Sequence, residues 1–186
     1  MPRLQKPISR RRIAGSITGA VALSLASITT VFATQEIGVI EATIGDEGGT
    51  WTTLHVASED TATAEHFKVG PMTSVSIQGH DPEAESIMRN VLSLEVTLMG
   101  EGPSAQTFDL TLSLFPEGMS GPFYTSGEGE QVSVSFDELD LSERGHARGS
   151  FSGQICRQDG MFEEIDLDDC RAVEGTFDTE LHLAEY

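Results

Sequence analysis

From Ile37 onward the chain alternates apolar and polar residues at period two, and no stretch carries a helical stripe of useful length. The clearest case is a pair of segments. Leu92, Leu94, Val96 and Leu98 share one face while Ser93, Glu95 and Thr97 share the other. After a loop at residues 100–105 the pattern returns with Phe108, Leu110, Leu112 and Leu114. One greasy face and one polar face are what a sheet wetted on one side requires. Further strands are predicted at 37–44 and 51–57 around a turn at 45–49, at 67–69 after a polar linker at 58–65, and at 73–78. Residues 80–85 form a predicted loop that carries a helical turn through Met88. A Gly/Pro-rich loop at 116–122 precedes one or two more strands containing Tyr124, Val132, Val134 and Phe136. Eight or nine strands with this spacing predict an all-β domain, a single antiparallel β-sandwich, with a β-barrel as the alternative.

Cys156 and Cys170 are the only cysteines, and an even pair in an exported chain predicts a disulfide. Setting them opposite each other in an antiparallel hairpin fixes every other pair. Phe151 then faces Gly175 and Phe177 faces Gly149, so each ring covers a glycine of the neighbouring strand. On the other face Arg148 meets Asp178 and His146 meets Glu180, both favourable cross-strand pairs.

Residues 1–33 are a different substance. Arg3, Lys6, Arg10, Arg11 and Arg12 are followed by an apolar stretch diluted with Ser, Thr and Gly, which ends in Val31-Phe32-Ala33. That is the layout of a secretory signal peptide cleaved after Ala33, leaving residues 34–186 as one exported domain, periplasmic or extracellular. Ser9-Arg10-Arg11-Arg12-Ile13-Ala14 is also similar to a twin-arginine signal, though Ile-Ala stands where Phe-Leu is usual, so the export route stays open between the two. No second run is long enough to span a bilayer as a helix, so no membrane insertion is expected after cleavage.

All 30 acidic residues lie beyond residue 33, against six basic ones (Lys68, Arg89, Arg144, Arg148, Arg157 and Arg171), a formal balance of −24. Such a charge repels nucleic acid and anionic lipid, and it suits cations, basic proteins or solubility in salt. The bridged loop concentrates carboxylates: Asp159, Glu163, Glu164, Asp166, Asp168 and Asp169 are a candidate oxygen site for Ca²⁺. Their spacing departs from the EF-hand, and a solvated acidic loop is the competing reading. The histidines at 55, 66, 80, 146 and 182 lack zinc spacing, and no Gly-x-Ser-x-Gly elbow is present. Trp51, Phe123 and Tyr124 are either a binding face or core.

The stretches Gly149-Ser150-Phe151-Ser152-Gly153 and Val173-Glu174-Gly175-Thr176-Phe177 resemble the closing strands of small exported bacterial β-domains. The resemblance covers roughly the last quarter of residues 34–186, describes sheet construction and brings no catalytic residues with it. The expected function is therefore that of an exported, non-enzymatic binding module for a protein, glycan or small ligand, reached through loops at one end of the sheet. The alternatives are a calcium-stabilised structural or adhesion domain and a barrel that carries a small ligand.

Overall fold

The computed structural model describes residues 34–127 and 132–184; the signal-peptide reading concerns residues outside these. The fold is all-β, as the alternation predicts. The strands are β1 Thr34–Ile44, β2 Glu47–Val56, β3 Thr61–Ala62, β4 Ala64–Val69, β5 Met72–His80, β6 Val91–Met99, β7 Gln106–Phe115, β8 Phe123–Thr125, β9 Val132–Asp140, β10 Arg144–Gln158 and β11 Ile165–Leu183.

All eleven belong to one sheet, which curls until its pairings close. The ring runs β11–β4–β5–β6–β7–β8–β10 and returns to β11 through the long β10–β11 ladder. Every pairing is antiparallel except the short β11–β4 contact, where His182 lies beside Glu65 and Leu183 beside His66. The β1–β2 hairpin pairs with β11 on the same edge as β4, opposite β10, and touches β5 at Thr52 and His80. The enclosure is thus one continuous, barrel-like sheet. Its interior is packed with the alternating residues of β6 and β7 (Leu92, Leu94, Val96, Leu98, Leu112), joined by Ile40, Ile77, Ile155, Phe177 and Leu181.

Four local expectations need correction. Phe108 does not share the inward face of Leu110, Leu112 and Leu114: the β6–β7 ladder skips it at a bulge and it is 69% exposed. Residues 58–65 are not all linker, because β3 and the start of β4 fall within them. The turn between β1 and β2 is only Gly45-Asp46, and Gly48 and Gly49 lie inside β2. Gly49 is in the strand because the Trp51 ring lies over it; an added Cβ would sit 2.5 Å from that ring. Residues 83–88 form turns with no helix. The Asp81 carboxylate takes the Glu83 N–H at 2.8 Å and the Asn90 side chain at 2.8 Å, which competes with helical pairing. Asn90 itself has φ of 51°, and its carbonyl accepts the Trp51 indole N–H at 2.8 Å, tying this loop to the core.

The C-terminal hairpin follows the register set by its cysteines. Cys156 faces Cys170, Phe151 faces Gly175, Gly149 faces Phe177, Arg148 faces Asp178 and His146 faces Glu180. The disulfide is formed. Past it the ladder slips, so that Arg157 lies opposite Asp166.

Candidate functional site

The end of the β10–β11 hairpin is the most unusual surface of the described residues. The disulfide fastens its base, and beyond it Met161, Phe162 and Leu167 stand in solvent at 65%, 100% and 78% exposure. A soluble domain normally turns such side chains inward, and several at one apex mark a contact surface. The base is stiff. Arg157 binds Asp159 at 2.8 Å. Arg171 donates to the Tyr124 hydroxyl at 2.7 Å and lies 4.2 Å above that ring, while the hydroxyl donates to Asp169 at 3.3 Å.

The six loop carboxylates are spread around this apex. Asp159 and Asp169 are tied to the groups just named, and Asp166 accepts the Asp168 N–H at 3.0 Å. Glu163 closes a turn by donating its N–H to Gly160, and its carbonyl accepts from the Gln158 side chain at 2.8 Å. Glu164 and Asp168 are exposed. Among the described residues no three His, Cys, Asp or Glu side chains are grouped so as to hold a metal ion. Trp51, Phe123 and Tyr124 are buried, so of the two readings they belong to the core and not to a binding face.

A second concavity, of about 730 Å³, lies where β11 meets β3 and β4, lined by Glu59, Asp60, Glu65, Glu143, Arg144 and His182 among others. His182 and His55 are buried with ring centroids 4.7 Å apart. His55 is 3.5 Å from Asp60, and His182 is 3.7 Å from Glu180. Burial holds the His182 pKa below the ordinary imidazole value, and the neighbouring His55 and Arg144 push the same way against the opposing pull of Glu180. The folded chain therefore resists taking a proton that the unfolded chain accepts. Stability from this group is complete above about pH 6.5 and declines as pH falls below it. Thermal melts from pH 7.5 to 5.0 should show a steeper loss for the parent than for His182→Gln; parallel curves would count against this role. His146, by contrast, is paired with Asp178 at 2.8 Å and faces Glu138 at 3.6 Å.

No family model, curated protein or solved structure matches this chain. The geometry of its own residues is what bears on function.

Proposed function

We propose that this chain is an exported, non-enzymatic binding module that docks a protein partner through the apex of its C-terminal hairpin. The observation that carries the reading is the fully exposed Phe162, flanked by Met161 and Leu167 on a loop stapled by Cys156–Cys170. A rigid apolar knob loses little conformational freedom on binding, which is the condition for a small contact to give useful affinity. Acids around it select a partner whose pocket is apolar with a basic rim, and the excess of acids over bases steers such partners inward.

A photo-crosslinking side chain placed at position 162, in the chain expressed in its own compartment, tests this. Discrete adducts are expected from position 162 and not from the exposed, remote Glu41. Leu167→Ser should reduce their yield several-fold. The same smear from both positions would remove the support for this reading.

A further inference from the structure

The outer face of β5, β6 and β7 carries three cross-strand rows of different chemistry. The register aligns His80, Val91 and Phe115 in one row, Gln78, Ser93 and Ser113 in the next, and Ser76, Glu95 and Thr111 in the third. Alternation sends all of these away from the packed interior, where Leu92, Leu94, Leu112 and Leu114 lie. The middle row is nevertheless covered: Ser93 is 5% and Ser113 8% exposed. The segment that follows β7 returns across this face. Its Pro116 carbonyl accepts the Asn90 N–H at 3.1 Å, Glu117 pairs with Arg89, and Phe123 stacks on Phe115 with centroids 5.2 Å apart. Met119 of the same segment joins Gln78, Val91, Ser93, Glu95 and Phe115 around a cavity of about 110 Å³.

Two polar groups of this cavity are unmet. The Ser93 hydroxyl is buried without a hydrogen-bond partner, whereas Ser113 beside it donates to Thr125 at 3.1 Å. A buried hydroxyl left unpaired is costly and calls for a partner from outside the chain. The exposed Glu95 is flanked in the ladder by Ser76 and Thr111, neither of them a cation. Val91, Phe115 and Met119 make the remainder apolar. Water would pair with Ser93 but gain nothing at the apolar end, whereas an apolar stem with a charged head meets both. A cavity of about 150 Å³ takes benzene, so this one suits a group of roughly four to six heavy atoms. The sign of the head follows from Glu95 and from the balance of −24 beyond residue 33, which repels anions. A primary ammonium brings three donors, matching the Glu95 carboxylate, the Ser93 hydroxyl and the Gln78 amide oxygen.

We propose that this roofed cavity binds a primary alkylammonium group, its head between Ser93 and Glu95 and its stem against Val91, Phe115 and Met119. The site shares no residue with the hairpin apex and does not rest on the reading given for it.

The probe is n-butylammonium chloride, titrated into the isotope-labelled, purified chain at about pH 7, where the amine is charged, and read by amide chemical shifts. Shifts at Gln78, Ser93, Glu95 and Met119 that saturate within about 10 mM are expected. Sodium butyrate at the same ionic strength, with an equal stem and the opposite charge, should leave these amides unmoved. Glu95→Gln, at an exposed position, should weaken butylammonium about three- to fivefold. Ser93→Leu, which fills the cavity, should abolish binding; if it does not fold, Glu95→Gln decides alone. Phe162→Ser should leave the titration as before. Nα-acetyl-lysine methylamide carries the same head and stem on a peptide backbone. Binding tighter than that of butylammonium would assign the group to a lysine side chain and weaker binding to a free amine, and either upholds the site. No saturable shift at these residues, equal shifts from butylammonium and butyrate, or unchanged affinity in Glu95→Gln would each overturn the proposal and leave the cavity to water.

Discussion

Replacing both cysteines, as Cys156→Ser with Cys170→Ser, is expected to lower the melting temperature by about 6–12 °C in oxidising buffer. Closing a loop of this length removes roughly 3 kcal/mol of chain entropy from the unfolded state. For a domain of this size about 2–4 °C accompany each kcal/mol. The local structure gives the bridge a second effect. Up to the cysteines the β10–β11 ladder is regular, whereas beyond them only Arg157·Asp166 and Gln158·Ile165 pair after the slip. Without the bridge the apex is held by those two pairs and by side-chain contacts at Arg157, Gln158 and Asp169, so Phe162 should crosslink less and its amides should exchange faster. Reductant should bring the parent down to the variant. Identical melting of parent and variant in oxidising buffer would show that the bridge does not constrain the unfolded chain.

The hairpin was legible because one covalent guess set a register that four other pairs could contradict and did not. Charges were less legible than backbone. Arg148 and Asp178 are opposite in the ladder, yet Arg148 reaches Glu138 at 3.6 Å and His146 takes Asp178 at 2.8 Å. The reason is β9, which places Glu138 beside Arg148 on the far edge of β10. β9 itself was only half readable. Val132, Val134 and Phe136 alternate inward, but the ladder skips Asp137 and the next buried residue is Leu139. One inserted residue reverses the parity, so residues 137–140 look like an acidic cluster when they are the end of a strand. Gly48 and Gly49 mislead for a related reason: glycine signals a turn and also makes room for a ring, and sequence alone does not separate the two. Met161, Phe162 and Leu167 are visible as apolar residues in an acidic loop, but their exposure follows from where the bridge stops the ladder.

The core prediction with the largest effect concerns the contact that positions β9. Phe177 is 1% exposed, meets Phe136 of β9 edge-on at 5.6 Å and lies between Ile40 of β1 and Gly149 of β10. Phe177→Ala should cost about 3–5 kcal/mol through the cavity it leaves. Gly149→Ala should cost about 3 kcal/mol by the opposite route, overpacking. Three neighbours would meet the new methyl: the Phe177 ring at 2.8 Å and, on β9, the Ser135 carbonyl oxygen at 2.1 Å and the Phe136 Cα at 3.1 Å. The ring can be trimmed, but the carbonyl belongs to a strand and must move with it. Combining Gly149→Ala with Phe177→Leu should therefore fail to recover stability in urea unfolding, with the two costs close to additive. Recovery would mean that the ring alone requires glycine there. Without recovery, β9 is held against β10 by main-chain contact at Gly149.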